Sequence, residues 1–480
     1  MRGITGFGAY LPYRRLDRST IAAVAGTGGG KGTRTVAGFD EDTTTMGAEA
    51  ARRALRAAPD GAPVPGMLLF STVAPAYADK TNATAIHAAL RLPAAAAVLD
   101  MNGAVRSSMG ALGLALDGSV DTLVVGSDIR FGLAGSADEA AGGDGAAAFL
   151  VGDDSQTSSA PVLAELIGAA SVTHEFLDRW RTPGDIRSKR WEERFGELQY
   201  VPLGTEAWKA ALHAAGLEPE QVHHVAIAST HARAARSLGR GLGLAAGVLV
   251  DDLAATVGNT GAAHPLLLLQ AALERAEPNQ VIALVSLADG ADVLLFRTTD
   301  AIAGYEPAVP LTEQAAAGAG APIPYGKYLA WRGLITPEPP RRPEPARPSS
   351  SAAARSDEWK FGFVGSRDRV TGAVHLPPQR ASARGTAVDE MDPVAMADAH
   401  GTVVTFTIDK LAYSPSPPVV FAVIDFDGGG RLPMELTDVD PGEVTVGQRV
   451  EMTFRKLFTA DGIHDYFWKA RPRRDGAKGD

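Results

Sequence analysis

Residues 95–127 read AAAVLDMNGAVRSSMGALGLALDGSVDTLVVGS. Two short apolar runs, at 95–101 and 122–127, are typical of buried strands, and the stretch 107–116 between them is typical of a helix. A strand, a helix and a second strand in this order predict a parallel or mixed β-sheet that is covered by helices.

The same order of elements occurs twice before residue 300. This repetition predicts an internal duplication, with a boundary between the two halves near Asp153–Pro161. The predicted strands are 67–72, 95–101 and 122–127, followed by 222–229, 247–252 and 280–287. The predicted helices are 46–58, 81–92 and 107–116, followed by 205–215, 232–242 and 261–273.

The pattern changes after residue 335. Residues 336–357 read TPEPPRRPEPARPSSSAAARSD, which lacks apolar periodicity and predicts an extended linker. Beyond it, short β-rich runs separated by Pro, Gly and Asp predict a small barrel or sandwich. These runs are 402–408, 419–426, 432–436 and 449–457.

Composition narrows the class of protein. The chain has 480 residues, of which 45% are apolar and 21% charged, and this balance is that of a globular protein with two or three domains. The net charge of −10 argues against a nucleic-acid-binding surface. No apolar run is long enough to span a membrane, and the amino terminus reads as a strand, so we expect a cytoplasmic protein. With no cysteine, the chain has no disulfide, zinc–thiolate site or thiol catalysis.

Several separated segments of residues 1–300 resemble hydroxymethylglutaryl-CoA synthases and ketoacyl synthase III enzymes. The resemblance implies a thiolase fold, a duplicated α/β unit in five αβαβα layers, and a coenzyme A thioester as substrate. The segments are VAGFDEDTTTMGAEAARRAL from Val36, VGSDIR from Val125, GGDGAAAFLVG from Gly142, SVTHEFLDRWRTPGD from Ser171 and VGNTGAAHPLLLLQAAL from Val257.

The carboxy-terminal region resembles the OB-fold domain found beside or fused to thiolase-like proteins. KFGFVGSRDRVTGAVHLPPQR, from Lys360, matches the entry to that domain, and VVFAVIDFDGGGRLPMELTDVDP, from Val419, its central strands. Members of that family begin with two Cys-x-x-Cys pairs. Because one carboxylate cannot replace four thiolates, we expect no zinc here. The four positions read Asp368, Thr371, Ser382 and Gly385.

The predicted domain boundaries follow from these resemblances. Residues 1–155 and 156–300 form the two thiolase-like halves, 301–357 an extended Pro-rich linker, and 358–475 an all-β OB-fold barrel with a degenerate zinc ribbon. The overall class is therefore α/β, with a C-terminal β-barrel.

Two chemical groups of the related enzymes are missing. The resemblance places the cysteine nucleophile, at the start of a buried helix, at Val105, and the acid/base glutamate at Thr72. Transfer through an acyl-thioester enzyme is therefore excluded. Ser107 and Ser108 carry hydroxyls near the helix start, and either is a nucleophile if a base adjoins it or a helix cap if none does. Tyr77 is a candidate general acid, with a packing role as the alternative.

Two residues match the groups that polarise a thioester carbonyl in ketoacyl synthase III enzymes. His231, in ASTHARAARSL, follows a predicted strand and precedes a helix, and Asn259 lies in the GNTG motif. The Asn259 amide N–H groups are suited to a developing oxyanion. The alternatives are a histidine satisfied by its surroundings and a structural turn asparagine. Near them, we interpret His264 as a packed residue.

The surviving groups predict aldol or retro-aldol chemistry on an acyl-CoA without a cysteine nucleophile. One alternative is an acyltransferase or condensing enzyme of a specialised pathway; another is a non-catalytic CoA-binding or scaffold subunit. Arg187, Lys189 and Arg190 are candidates for the coenzyme's phosphates, or a solvated basic run. We expect a homodimer that takes an acyl-CoA or acyl-carrier substrate, with a ketosynthase as a possible partner.

Overall fold

A nine-stranded mixed sheet forms the core of the first part of the chain. The computed structural model describes residues 2–59, 62–154, 160–318, 321–386 and 388–474. The first half contributes strands β1 (Arg2–Tyr10), β2 (Arg14–Asp17), β3 (Thr33–Val36), β4 (Met67–Thr72), β5 (Ala97–Asn102), β6 (Thr122–Asp128) and β7 (Gly145–Asp153). Its helices are α1 (Ser19–Ala25), α2 (Thr43–Ala57), α3 (Ala83–Ala89), α4 (Ser107–Asp117) and α5 (Ala137–Ala141).

The second half repeats this order. Its strands are β8 (Ala164–Thr173), β9 (Arg179–Trp180), β10 (Lys189–Arg190), β11 (His224–Ser229), β12 (Val281–Leu287) and β13 (Gly290–Thr298). Its helices are α6 (Glu193–Ala215), α7 (Ala232–Gly241) and α8 (His264–Leu273), and the 3₁₀ turn Gly261–Ala263 leads directly into α8.

The strand order shows the duplication. The sheet runs β11-β12-β13-β8-β1-β7-β6-β4-β5, so β8, β13, β12 and β11 mirror β1, β7, β6 and β4. Strands β4 and β6 pair in parallel, as do β11 and β12, while β7 and β13 run antiparallel to their neighbours. The predicted strand 247–252, the counterpart of β5, is reduced to one bridge between Val225 and Leu249. The predicted boundary between the halves lies partly in residues 155–159, outside the described residues.

Helices cover and separate the two halves of the sheet. Helix α2 packs on β1, β6 and β7, α6 packs on β8 and β13, and α4 and α8 lie between the halves against β7 and each other. The shared core contains Phe7, Leu112, Phe149, Leu267 and Leu284, all nearly or fully buried. This arrangement gives the predicted αβαβα layers.

Helix α6 begins twelve residues earlier than its predicted start at Thr205. Pro202 lies inside the helix and lacks the N–H that would continue the hydrogen-bond ladder, which is why a sequence pattern favours a break there. The buried residues Tyr200, Trp208 and Leu212 pack in the second core and hold the helix together through this interruption.

The segment 301–357 differs from the extended linker predicted for it. It contains α9 (Leu311–Ala317), α10 (Tyr325–Trp331) and α11 (Ser350–Arg355), and α12 (Asp357–Lys360) begins at its end. Helix α9 packs on α8 and β1, because Leu311 and Gln314 are buried. Contacts divide the chain into a first unit of Met1–Ala37, Asp42–Thr84 and Leu92–Leu329 and a second unit of Gly38–Glu41, Ala85–Arg91 and Ala330–Asp480. The predicted boundary at residue 300 is therefore about thirty residues too early.

The second unit contains a closed five-stranded barrel in the order β17-β18-β19-β21-β20. Its strands are β17 (Gly401–Asp409), β18 (Val419–Phe426), β19 (Arg431–Leu436), β20 (Arg449–Ala460) and β21 (Ile463–Pro472). A small sheet, β14 (Val364–Asp368), β15 (Val374–His375) and β16 (Met391–Ala395), precedes it. Strand β21 carries the aromatic run DYFW, and its Tyr466 and Trp468 are barrel core.

No helix among the described residues is both long and apolar enough to cross a membrane.

Candidate active site

The ends of β4 and β6 are tied to the turn that precedes α8. Asp128, the last residue of β6, accepts hydrogen bonds from Thr72 Oγ1 and Val73 N, each 2.8 Å, and from Ala262 N at 2.7 Å. Burial raises the pKa of the Asp128 carboxyl, although Arg130 opposes the rise. Asp128 thus joins the ends of β4 and β6 to the turn before α8, which is the kind of turn-capping role typical of aspartates at such positions.

Asn259 is fixed by the neighbouring backbone. Its Nδ2 donates to the carbonyl of Ser229 at 2.8 Å, and its Oδ1 accepts from Gly261 N at 3.0 Å. A Cβ on Gly261, which has φ of +58°, would lie 2.1 Å from Asp128 Oδ2, so the turn requires glycine. Within the described residues, the second amide hydrogen of Asn259 has no hydrogen-bond acceptor. The carboxamide is therefore oriented by two bonds and keeps one donor.

His231 is linked to Asn259 through Ser229, but its ring nitrogens are hydrogen-bonded within the protein. The backbone N–H of His231 donates to Ser229 Oγ at 3.0 Å, so Ser229 joins His231 to Asn259. His231 is the N-cap residue of α7, and its Nδ1 accepts a hydrogen bond from Ala234 N at 3.0 Å. Its Nε2 donates to the carbonyl of Glu193 at 2.8 Å. Both ring nitrogens are thus occupied, as in the alternative of a satisfied histidine. The predicted contact with a thioester oxygen requires the bond to Glu193 to break.

Asp178 is a site residue that the sequence reasoning did not single out. It is buried beside the His231 ring, where Gly196 of α6 lets both groups approach. A Cβ on Gly196 would lie 2.3 Å from Asp178 Oδ1 and 2.7 Å from His231 Cδ2. Burial raises the pKa of the Asp178 carboxyl, while His231 lowers it. The segment SVTHEFLDRWRTPGD, quoted above for its resemblance, was the available signal.

The start of α4 carries no nucleophile at the position of the missing cysteine. Val105 is half-buried two residues before the helix. Ser107 is the first helical residue, and Ser108 is fully buried, its Oγ lying 3.4 Å from the carbonyl of Val105. No base contacts either hydroxyl within the described part of the chain. This geometry favours the structural alternative for both serines.

Tyr77 lies on the loop between β4 and α3, away from the hydrogen bonds that join His231 to Asn259. Its backbone N–H donates to Asn82 Oδ1, and its carbonyl accepts from Asn82 Nδ2, both at 2.9 Å. Asp100 in turn accepts from the backbone of Asn82 and Ala83 and caps α3. These bonds fix the loop, and the acid role of Tyr77 stays a prediction.

The basic residues predicted to bind phosphates lie at the surface. Lys189 and Arg190 form β10, Arg187 lies in the turn before it, and all three are exposed. Arg190 lies 3.7 Å from Asp138, which is also paired with Arg179 at 3.1 Å. Their exposure is compatible with both alternatives: binding of the coenzyme's phosphates, and a basic segment that contacts only solvent.

The four positions of the degenerate zinc ribbon converge at β14. Thr371 Oγ1 donates to Asp368 Oδ2 at 2.6 Å, and a Cβ on Gly385 would lie 3.3 Å from the same oxygen and 3.8 Å from Ser382 Oγ. Hydrogen bonds from Ser382 and Thr371 hold the pKa of Asp368 well below its ordinary value. One carboxylate and two neutral hydroxyls do not fit a tetrahedral zinc ion, and hydrogen bonds join the positions instead.

Two family models match parts of the chain. The 3-oxoacyl-[acyl-carrier-protein] synthase III C-terminal model matches residues 212–294, which contain both His231 and Asn259. The ChsH2 C-terminal OB-fold model matches residues 393–455, within the second unit.

Solved structures share the fold of the first part of the chain. MvaS in complex with 3-hydroxy-3-methylglutaryl coenzyme A is 23% identical with a TM-score of 0.58, and the match covers 72% of this chain and 94% of that protein. FabH from Pseudomonas aeruginosa PAO1, a 3-oxoacyl-(acyl carrier protein) synthase III, is 20% identical with a TM-score of 0.53, over 62% of this chain and 98% of that one. The thiolase fold is thereby confirmed.

Curated relatives are similar in sequence over nearly their whole length. The hydroxymethylglutaryl-CoA synthase of Aeropyrum pernix is 31% identical over 350 residues, which are 69% of this chain and 94% of the relative. That of Methanopyrus kandleri is 29% identical over 65% of this chain and 92% of the relative. On this similarity, the chain belongs to the hydroxymethylglutaryl-CoA synthase family.

Proposed function

We propose that this protein makes or breaks a carbon–carbon bond next to a coenzyme A thioester without forming an acyl-enzyme on sulfur. The observation that carries the proposal is the carboxamide of Asn259, which is oriented by Ser229 and Gly261 and keeps one N–H donor. A fixed donor of this kind stabilises negative charge that develops on a thioester oxygen. Val105 in place of the nucleophile leaves chemistry that needs only an enolate.

In the cleavage direction the substrate is a β-hydroxyacyl-CoA. The hydroxyl gives its proton to water, the bond between Cα and Cβ breaks as the C=O of the leaving carbonyl compound forms, and the electrons of the broken bond move to the thioester oxygen beside Asn259. The resulting enolate takes up a proton at Cα, and the products are an acyl-CoA and an aldehyde or ketone. Tyr77 is the candidate proton donor, and synthesis is the same sequence in reverse.

The coenzyme is expected to approach over the β9–β10 hairpin. Arg187, Lys189 and Arg190 are exposed there, and only Arg190 has a carboxylate near it, Asp138 at 3.7 Å, among the residues that the structure describes. Such residues are suited to the phosphates of coenzyme A, which stay partly solvated. CoA affinity that falls steeply with salt would support this placement.

We also propose a homodimer that forms along β5. This strand ends the sheet, and Leu99 on it is 52% exposed, while Leu114 of α4 is 62% exposed. An uncovered sheet edge with apolar neighbours is suited to pairing with a second copy. Light scattering of the protein and of L99D would test this, because the variant is expected to be monomeric.

The function is tested with purified protein and a panel of β-hydroxyacyl-CoAs, by mass-spectrometric detection of acyl-CoA and carbonyl products. Cleavage by the wild type, reduced about 10²-fold or more in N259A, is the expected result. The exposed variant R297A is the matched control, because Arg297 lies on β13 away from Asn259. Saturable CoA binding without turnover in either direction would contradict the proposal and favour a non-catalytic subunit.

A further inference from the structure

A cavity of about 530 Å³ lies in the first unit, at the end of α8 that is opposite to the Asn259 turn. Its volume is that of a small-molecule site, which typically measures about 300–1,000 Å³. The rings of Phe7 and Tyr305 line it with their centroids 4.6 Å apart, and the Tyr305 hydroxyl is bonded to the backbone of Phe7. The wall is mainly apolar, and it also contains Leu253, Leu273, Ile302 and Leu311.

One half-buried carboxylate, that of Glu274, lies in the wall of this cavity. Glu274 is the C-cap residue of α8, and its Oε1 and Oε2 each lie 3.0 Å from Leu311 N, from which they accept a hydrogen bond. Its Oε1 also accepts from Gln270 Nε2 at 2.7 Å. A carboxylate has about four acceptor sites, so these bonds fix its position and leave acceptor capacity unused.

The charge of Glu274 has no counter-ion in the part of the chain that the structure describes. Burial raises the pKa of its carboxyl, while hydrogen bonds from Gln270 and Leu311 lower it, and no cation takes part. The other charged residues that line the cavity, Asp251 and Arg275, are exposed. A carboxylate that faces an apolar cavity without a cation is costly to keep in the folded protein.

The end of α8 adds to this excess of negative charge. The carboxyl end of a helix carries a partial negative charge, which disfavours a carboxylate there and favours a cation. Helix α8 has no basic residue in its last turn. Beside Glu274, the Oε1 atom of Gln270 is sealed from solvent and accepts no hydrogen bond within the described residues. A cation bound at Glu274 offsets these unfavourable terms.

We propose that this cavity binds a small apolar molecule that carries an ammonium group. The apolar body occupies the space beside Phe7, Tyr305 and Leu273, and the ammonium donates to the Glu274 carboxylate. The negative faces of the two aromatic rings also attract a cation. A neutral molecule leaves the carboxylate without a counter-ion, and an anion is repelled by it, so the site distinguishes ligands by the charge of their head group.

The test is isothermal titration calorimetry of the full chain with three probes that share one apolar body: phenylbutylamine, phenylbutanol and phenylbutyrate. Their head groups are an ammonium, a hydroxyl and a carboxylate. We expect the wild type to bind one molecule of the amine per chain, at least about tenfold more tightly than the alcohol, which is the range of a hydrogen bond to a charged group. The acid is expected to bind most weakly.

Two variants and one control locate the site. E274Q keeps the shape of the side chain and lacks its charge, so the ratio of amine to alcohol affinity is expected to fall to about one. A315F fills the cavity from α9 and is expected to weaken the binding of amine and alcohol alike. E313Q removes the charge of the exposed Glu313, which lies on α9 outside the cavity wall, and keeps the wild-type ratio.

Three outcomes overturn the inference. A wild-type ratio near one does so without any variant, whether or not E274Q folds. An equal fall of the ratio in E313Q and E274Q shows that the general charge of the surface attracts the amine, and unchanged binding in A315F places the amine outside the cavity. Because none of the probes is a coenzyme A thioester, this result does not depend on the proposed function, and either can fail alone.

Discussion

Ser108 Oγ lies 3.4 Å from the carbonyl of Val105, so this hydroxyl faces back into the start of α4. It is fully buried there, whereas Val105 is half-buried. The position that would hold a cysteine is thus accessible but inert, and the hydroxyl beside it is sealed.

The first prediction restores the nucleophile. V105C places one thiol near the amino terminus of α4, where the helix dipole lowers a thiol pKa. We expect acyl-CoA to transfer one acyl group to this variant and to release CoA, as seen by intact mass. The wild type has no thiol, so there is no background. V24C, at a valine that is 68% exposed, is the matched control, and equal acylation of both variants would contradict the prediction.

The second prediction concerns His264 and acid stability. Burial lowers the pKa of His264 to about 4, and only 4% of the residue is exposed, as its predicted packing role requires. Because the folded pKa is below the unfolded value of about 6.5, the wild type loses stability as the pH falls from about 6.5 to 4. Between pH 7.5 and 4.5, the free energy of unfolding of H264Q is expected to fall by about 2–3 kcal/mol less than that of the wild type, as measured by denaturant unfolding at each pH. If the stability of the wild type and of H264Q falls equally over this pH range, the titration of His264 is not the cause of the loss.

The third prediction concerns a buried charge network in the second unit. Lys469 Nζ lies 3.1 Å from Asp40 and 2.6 Å from Glu435, and its side chain is 1% exposed. Burial lowers the pKa of Lys469, but the two carboxylates outweigh it and the net shift is upward. K469M removes the cation that Asp40 and Glu435 share, so we expect a loss of about 3–5 kcal/mol in the free energy of unfolding.

The same network predicts where stability changes with pH. Burial raises the pKa of Asp40, but Lys469 and Arg455 outweigh it and the net shift is downward. Its contribution is therefore present above about pH 3.9 and lost as the pH falls further, while that of Lys469 is present below about 10.4 and lost on the alkaline side. A double-mutant cycle of D40N and K469M measures the coupling, and additive losses would show that the pair does not interact.

The fourth prediction concerns the degenerate zinc ribbon. Because Asp368, Thr371, Ser382 and Gly385 already converge, four cysteines at these positions are expected to bind one Zn²⁺ per chain. Gly385 has no positive φ, so a side chain fits there without backbone strain. The metal content of the dialysed protein measures the result, with the variant that keeps Gly385 as control. A quadruple variant without zinc would show that the four side chains do not meet.

The sequence by itself determined the elements and their order. Apolar runs that alternate with helical stretches predicted β4, β6, β11 and four of the five barrel strands, all except β21, because strand and helix periodicities are local properties of the chain. It also determined what chemistry is missing, since no fold can supply a thiol that the composition lacks. The sequence pattern placed the start of α6 too late, because Pro202 favours a break that tertiary packing overrides. It also predicted an extended linker from residue 301, where the structure has helices α9 and α10.

Only the tertiary structure decided how the predicted site residues are used. A histidine before a helix is compatible both with a free imidazole and with a cap; in His231, Nδ1 caps α7, and only the fold brings the carbonyl of Glu193, 38 residues away, to the other ring nitrogen. Arg130 ends the quoted segment VGSDIR, but its partner could not be read from that segment, because which carboxylate lies near an arginine depends on the fold. Hydrogen bonds between distant segments are set by packing, which local patterns do not encode.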